Sequence, residues 1–300
     1  MAMETLGEVL RTALHGVPSF DHAKLQCELS PQEAERELLQ AKCDSYNASS
    51  GNLNEVWRQA RMDCPKCKNK GQTMALRENS AGEPEVFVVR CDCMNKRESI
   101  YRLAKSGLQG VTRLYTFKRF ETTERWQENV KNHAMDYVKR LEAGGAEWFF
   151  IGGQSGAGKT HICTAIAVQA IKQGKSTRYM VWRDEIRKLK AVASSPEYGD
   201  MLRQWQDTDV LYIDDFLKAG RGPDGRMNPT HADVAIAFEL LNYRLVHGGA
   251  TIISSEMNLN EIADIDEATA GRIAQNARGH CLNIARNKDR NYRLKGVMEV

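Results

Sequence analysis

Residues Gly153–Thr160 read G-Q-S-G-A-G-K-T, the G-x-x-x-x-G-K-T spacing of a phosphate-binding loop. Glycines at these positions leave the backbone bare, so successive amides can turn toward a polyphosphate. A helix starting at the loop's end adds its dipole. In this reading Gly153, Gln154, Ser155, Gly156, Ala157 and Gly158 form the cradle. Lys159 reaches the β- and γ-phosphates, and the Thr160 hydroxyl holds Mg²⁺. Further on, Val210–Phe216 is an apolar run, V-L-Y-I, closed by Asp214 and Asp215. Two carboxylates at a strand end can divide the work. Asp214 suits Mg²⁺, directly or through water, and Asp215 suits orienting or deprotonating the attacking water. Taken alone, such a run is also how an ordinary strand enters a loop.

Two further segments fit the same chemistry. Thr251–Glu256 reads T-I-I-S-S-E, an apolar strand ending in polar groups that could touch a γ-phosphate or the lytic water. Ser255 is the first choice for that sensor role, with Ser254 and Glu256 beside it; a plain strand exit is the alternative. Arg272, in a helical stretch, could neutralise transition-state charge at a neighbouring subunit's nucleotide, or form a surface salt bridge worth little.

A second chemistry lies upstream. Cys64 and Cys67 stand in a C-x-x-C pair, and Cys91 and Cys93 in a C-x-C pair after 23 intervening residues. Four soft thiolates in two close pairs suit a tetrahedral structural Zn²⁺ and leave no open coordination position. A disulfide pair or unpaired thiols are the alternatives. Gly71 falls where the knuckle turn needs a flexible residue. Cys27, Cys43, Cys163 and Cys281 are scattered and read as buried thiols.

The elements that must position these groups follow from patterning. From Trp148 onward strands and helices alternate, the mark of an α/β sheet. The expected strands are 148–152, 177–182, 209–213, 250–254 and 280–284. The expected helices are 160–173, 183–193, 198–206, 231–246 and 266–277. Residues 94–140 read as connecting helices, basic and then amphipathic, with Trp126, Val130, Ala134, Tyr137 and Val138 near helical spacing. Ser30, Pro31 and Glu33 form a helix start, with the helix expected to run to about Cys43. A short helix is expected near 53–61 and a strand at 85–90. Residues 216–229 contain three glycines and two prolines. They form either a mobile loop sensing DNA or a neighbour, or a tolerated surface insertion.

Charge is unevenly spread although the formal net charge is only +3. Residues 1–55 carry nine acidic and four basic side chains, whereas 94–119 and 272–295 each carry seven Lys or Arg against one acid. Such blocks suggest an acidic protein-contact end and basic surfaces for a polyanion, or simply solvated helix faces. No apolar run approaches the ~18 residues of a membrane span, and the first residues lack a secretory pattern. The expected location is cytoplasmic.

Together the P-loop with its following His161, Asp214 with Asp215, the 251–256 strand, and Ala270–Ile273 resemble the DnaC/DnaI group of bacterial and phage helicase loaders. This group lies within the AAA+ ATPases and shares its ATPase type with the transposition helper IstB. The cysteine module, Ser106–Leu108 and Thr116–Phe117 are similar to phage and Gram-positive-type loaders. The resemblance implies an AAA+ P-loop domain at 141–300, with a parallel sheet flanked by helices and no helical lid. A helical partner-binding region (1–60), a zinc module (61–95) and a helical connector (96–140) would precede it. It also implies ATP, Mg²⁺ and Zn²⁺ as cofactors, with His161 among the nucleotide-site residues and Arg272 as an arginine finger. Arg286, Arg290 and Arg293 would be available for DNA or phosphate. The implied partners are a replicative hexameric helicase, single-stranded DNA and further copies of the chain assembled on ATP, with no membrane. An IstB-like regulator of a transposase is the alternative function.

Overall fold

The computed structural model describes residues 30–104, 114–223 and 225–293. Cys27, four of the nine acidic residues in the block that begins the chain, and Ser106–Leu108 lie outside the described residues. The chain divides into two compact units after Arg97.

In the first unit, α1 (Pro31–Ala48) starts on a reciprocal cap between Ser30 and Glu33. It runs five residues past Cys43, where its expected end lay. The segment after it breaks into α2 (Leu53–Val56) and a 3₁₀ turn (Arg58–Ala60), because Trp57 between them leaves helical geometry at φ −106° and ψ 58°. Strands β1 (Gln72–Glu78) and β2 (Pro84–Arg90) pair antiparallel. The expected 85–90 strand is β2, whereas β1 is not apparent in sequence. Its Met74, Ala75, Leu76 and Glu78 are good helix formers, so pairing overrides local preference. Asn79 closes the hairpin, its side-chain oxygen accepting from the amides of Ala81 and Glu83, both at 2.9 Å. Asn47 on α1 exchanges two hydrogen bonds with the Met74 backbone at 2.8 and 2.9 Å. Helix and hairpin are therefore one body. Helix α3 (Cys93–Leu103) begins in this unit.

The second unit is a five-stranded parallel sheet in the order β4-β5-β6-β3-β7. Its strands are β3 (Trp148–Gly153), β4 (Thr177–Val181), β5 (Val210–Asp214), β6 (Ala250–Ser255) and β7 (Cys281–Ile284). All residues of β3, β5 and β6 are buried, as parallel strands covered on both faces must be. Side chains alternate between two cores. Phe149, Ile151, Tyr212 and Ile252 face α4 (Arg125–Glu142) and α5 (Lys159–Lys172). Trp148, Phe150, Leu211 and Ile253 face α6 (Trp182–Ala191), α7 (Glu197–Gln206), α8 (His231–Val246) and α10 (Glu267–Asn276). Helix α9 (Leu259–Ala263) links β6 to α10. Each fully buried aromatic contributes on the order of 2–3 kcal/mol. Helix α4, expected in the connector, packs Val130, Ala134, Tyr137 and Leu141 into the first core. Its apolar stripe makes it part of the sheet's cover.

One buried cation stitches the far edge. Arg244, fully buried near the end of α8, donates to the carbonyls of Gln206, Thr208 and Ala250 and to the Thr251 hydroxyl at 2.5–2.9 Å. Burial lowers its pKa to about 10, and the carbonyl dipoles replace its lost hydration.

Candidate functional site: the P-loop cavity and the cysteine cluster

Strand β6 lies between β3 and β5, so the ends that carry the P-loop, Ser254–Ser255 and Asp214 converge at one edge of the sheet. The loop needs its glycines. Gly153, Gly156 and Gly158 hold φ of 124°, 79° and 80°, values that side-chain-bearing residues rarely adopt. A Cβ on Gly153 would also collide with the Ile284 carbonyl. Helix α5 starts at Lys159 directly after the left-handed Gly158, which aims its first amides outward.

Lys159 is 7% exposed and donates to the carbonyls of Gly153 at 2.8 Å and Gln154 at 2.7 Å. Burial lowers its pKa, opposed by Glu256, Asp215 and Asp214. The Thr160 hydroxyl lies 3.3 Å from an Asp214 carboxylate oxygen. These are adjacent hard oxygen donors, the set Mg²⁺ prefers. Asp214 also accepts from the Tyr179 hydroxyl at 3.0 Å and from the Ser254 hydroxyl. Asp215 sits at φ 56° and Leu217 at φ 55°, a left-handed turn of the kind that concentrates at working sites. Lys218 pairs with both Asp215 (2.9 Å) and Glu256 (3.0 Å). Burial alone would raise the Glu256 carboxyl, but Lys218, with Lys159 and Arg221, holds it below the usual range.

The two serines divide differently from the expectation. Ser255, the first choice for sensing, is fully buried and donates to the Phe216 carbonyl at 2.9 Å while accepting from the Met257 amide at 3.1 Å. Its hydroxyl braces the turn. Ser254 is the one that touches Asp214, because adjacent strand residues point to opposite faces.

Lys159, Thr160, Asp214, Asp215, Lys218 and Glu256 line a cavity of about 410 Å³ with Ser155, Gly156, Ala157 and Gly158. Its outer wall is aromatic, with Tyr115 and Phe120. His161 stacks on Tyr115 (4.9 Å), meets Phe120 edge-on (5.3 Å) and bonds the Thr116 carbonyl at 2.9 Å. Burial lowers the His161 pKa against the pull of that carbonyl. After β7 the described chain forms a 3₁₀ turn, Lys288–Arg290, and runs along the loop. The Gln154 side chain exchanges two bonds with the Asn287 backbone (2.7 and 2.6 Å). The Tyr292 amide donates to Gly156 O at 3.0 Å, and Arg293 donates to the Ser155 hydroxyl at 3.3 Å. Sequence reasoning did not single out Tyr115, Phe120, Tyr179, Lys218 or Tyr292. Tyr115, Phe120 and Tyr292 come from segments with no spacing signal, whereas Tyr179 lies in the expected 177–182 strand and Lys218 in the 216–229 loop, where nothing marked them as site residues.

Arg272 stands apart from this cavity. On α10 it lies 4.1 Å over the Phe238 ring and donates to the Asn242 side chain at 3.0 Å and the Ala268 carbonyl at 3.2 Å. Among the described residues lining the cavity, it has no place.

In the first unit Cys64, Cys67, Cys91 and Cys93 converge, all four sulfurs within 4.8 Å of one another. The Cys64–Cys91 and Cys67–Cys93 sulfurs lie 3.7 and 3.5 Å apart, close to the ~3.8 Å edge of a tetrahedron with Zn–S of about 2.3 Å. The turn is a knuckle, with Lys68, Asn69 and Gly71 at φ 48°, 64° and 82° and the Gly71 amide donating to the Cys67 sulfur at 3.3 Å. Burial opposes ionisation of Cys67, but that amide and the neighbouring sulfurs bring its pKa down to about 7. Arg97, fully buried, donates to the Ala60 and Met62 carbonyls and to the side chains of Asn54 and Asn69. It anchors the knuckle from behind.

The family model described as "IstB-like ATP binding protein" matches residues 93–299. The chain belongs to the IstB-like ATP-binding family. It is a P-loop ATPase. Its curated relatives include the phage-like element PBSX protein XkdC of Bacillus subtilis, 28% identical over 79% of this chain and 88% of that one. The uncharacterized protein YqaM of the same organism is 30% identical over 67% of this chain and 64% of that one. Among solved structures, the DnaC helicase loader is 19% identical, with 55% of this chain and 90% of that chain covered and a TM-score of 0.43. AMPPCP-bound DnaA from Aquifex aeolicus is 17% identical, with 60% of this chain covered and a TM-score of 0.47; this chain spans 52% of its length. Among the described residues, no helix of this IstB-like protein is long and apolar enough to cross a membrane.

Proposed function

We propose that this ATPase loads a replicative hexameric helicase onto single-stranded DNA, with hydrolysis at an interface between copies of the chain. The supporting observation is the separation of Arg272 from the cavity that holds Lys159, Thr160, Asp214 and Asp215. An arginine fixed by Phe238 and Asn242 outside its own nucleotide site is suited to completing a neighbour's.

The chemistry is phosphoanhydride hydrolysis. The P-loop amides and Lys159 bind the phosphates of ATP. Thr160 and Asp214 hold Mg²⁺, which neutralises phosphate charge when bound. Asp215 orients the attacking water and accepts its proton. The new bond to the γ-phosphorus forms as its bond to the β–γ bridging oxygen breaks. Arg272 of an adjacent copy stabilises the developing charge on that oxygen and the equatorial oxygens. The cysteine cluster holds one structural Zn²⁺, bracing the first unit as a helicase-gripping module.

The family match favours a second reading, regulation of a transposase on DNA. The zinc module supports the loader reading instead, since it resembles those of phage and Gram-positive-type loaders. Pull-downs with the full chain and ATP against a hexameric helicase and against a transposase separate the two. Capture of the transposase alone would overturn the loader proposal.

A further inference from the structure

Lys218 is the third residue past Asp215, and its ammonium is tied to that carboxylate at 2.9 Å. A carboxylate whose oxygen is committed to an ammonium is poorly placed to accept a proton from water. The same ammonium holds Glu256, which among the charges around Lys159 has the largest effect on that lysine. Asp214, Asp215 and Glu256 thus put three carboxylates around the cavity region that also contains Lys159 and Lys218. With Glu121, Arg119 and Arg293 the lining carries four carboxylates and four cations, and an incoming γ-phosphate competes with Asp215 and Glu256 for the Lys218 ammonium. Lys218 has the means: a flexible stem with a compact charge, and a side chain still 28% exposed.

We infer that Lys218 reads the γ-phosphate by ion-pair exchange. With ATP bound, its ammonium leaves Asp215 and Glu256 for the γ-phosphate, releasing Asp215 to orient water; with ADP it returns to the carboxylates. No bond is made or broken in this exchange. It rests on the ATP site described above and extends it to the segment beyond. Glu256 also lines a second cavity, of about 600 Å³, walled by Arg221, Arg226 and Met227. After Lys218 and Lys159, Arg221 is the cation that acts most on Glu256. When Lys218 departs, Arg221 is the loop residue drawn toward the freed carboxylate. The 216–229 loop is therefore coupled to nucleotide state through Glu256, which belongs to both cavities.

The test uses the full chain, with ATP and ADP as probes in competition with a fluorescent nucleotide. Trypsin cleavage after Arg221 and Arg226, identified by mass, reports on the loop. For the wild type, cleavage after Arg221 should differ between ATP- and ADP-saturated protein. Lys218→Met should weaken ATP about tenfold while sparing ADP, the loss expected for one charge-assisted contact, and should erase the cleavage difference. Lys218→Arg should keep most of both. Glu256→Gln loosens Lys218 without removing it, so the ATP-to-ADP affinity ratio should rise while the cleavage difference fades. If Lys218→Met keeps the wild-type ratio, or keeps nucleotide-dependent cleavage, Lys218 is only a tether for the turn and the inference falls. If Lys218→Met does not fold, a wild-type ratio in Glu256→Gln overturns it equally. Wild-type protein binding neither nucleotide would instead refute the ATP site itself.

Discussion

Replacing Arg272 by alanine separates stability from catalysis more cleanly than any other single change. The side chain makes one ring contact over Phe238 and two hydrogen bonds, one of them to an exposed carbonyl. At a partly exposed site these sum to about 1 kcal/mol, a shift of roughly 2–4 °C in the melting temperature of a domain this size. Nucleotide affinity should hold within about threefold, since Arg272 does not line its own cavity. Turnover should fall by roughly 10³–10⁵, the contribution of an arginine finger supplied in trans. The decisive assay mixes two inactive variants. Lys159→Ala lacks a working pocket but retains Arg272; Arg272→Ala has the converse defect. In a head-to-tail assembly with random mixing, roughly one quarter of interfaces join an intact pocket to an intact finger. An equal mixture should therefore recover about that fraction of wild-type turnover. Arg272→Ala turning over within threefold of wild type would falsify the finger role. A mixture no better than its parts, despite demonstrated association, would show that the arginine acts elsewhere.

Four further outcomes follow from named contacts. Ser254→Ala should raise the Mg²⁺ concentration needed for half-maximal turnover by about 10–100-fold, as loss of a group orienting a metal ligand does. Ser255→Ala should instead cost about 1–3 kcal/mol of stability by orphaning the buried Phe216 carbonyl, and a metal titration with melting curves distinguishes the two. Metal analysis of purified protein should find about one zinc per chain. Stripping it should unfold residues 30–97 to protease, because structural zinc contributes about 10–16 kcal/mol, comparable to or above the whole stability of such a unit; a metal-free but protease-resistant unit would contradict this. His280 is buried, and burial pulls its pKa below 6.5 against the opposing charge of Asp136. The unfolded chain takes up the proton first as pH falls below about 6.5, so stability is full above that pH and declines beneath it. His280→Phe should flatten the acid side of the melting-temperature profile, and an unchanged slope would assign it to other groups.

The legible parts of this molecule were those fixed by local chemistry. G-x-x-x-x-G-K-T can be read because only glycine tolerates the φ values at Gly153, Gly156 and Gly158. Strands β3, β5 and β6 were visible as apolar runs, since the central parallel strands are buried on both faces, and the edge strands β4 and β7 by their alternation with helices. The cysteine pairs announced themselves by spacing. What escaped were features set by long-range pairing. Strand β1 has helix-favouring residues and becomes a strand only opposite β2. Tyr115, Phe120 and the 287–293 segment reach the P-loop across more than 30 and 125 residues of chain respectively, with no local pattern to mark them. Lys218 was visible as a basic residue in a loop, but its pairing with Asp215 and Glu256 depends on two strand ends meeting.

The exchange between Ser254 and Ser255 shows why the last residue of a site can be hard to read even when its segment is plain. Both are serines at the end of β6, both are buried, and both lie next to the P-loop strand, where Ile151 pairs with Ser254 and Gly152 with Ser255. Along a strand, a one-residue step reverses the face. The face toward the α4–α5 core takes Ile252 and, two residues on, Ser254; the opposite face takes Ile253 and then Ser255. Because Asp214 accepts from Tyr179, whose ring lies in the α4–α5 core, its carboxylate belongs to the Ser254 side. The apolar alternation of Ile252 and Ile253 does not distinguish the two faces, since both are packed. Only the identity of the core behind each face decides it. A register slip of one residue in β6 would put Ser255 on Asp214 and leave the Phe216 turn without its brace. The metal site and the left-handed turn at Asp215 are thus set by the same pairing, and neither can shift without the other.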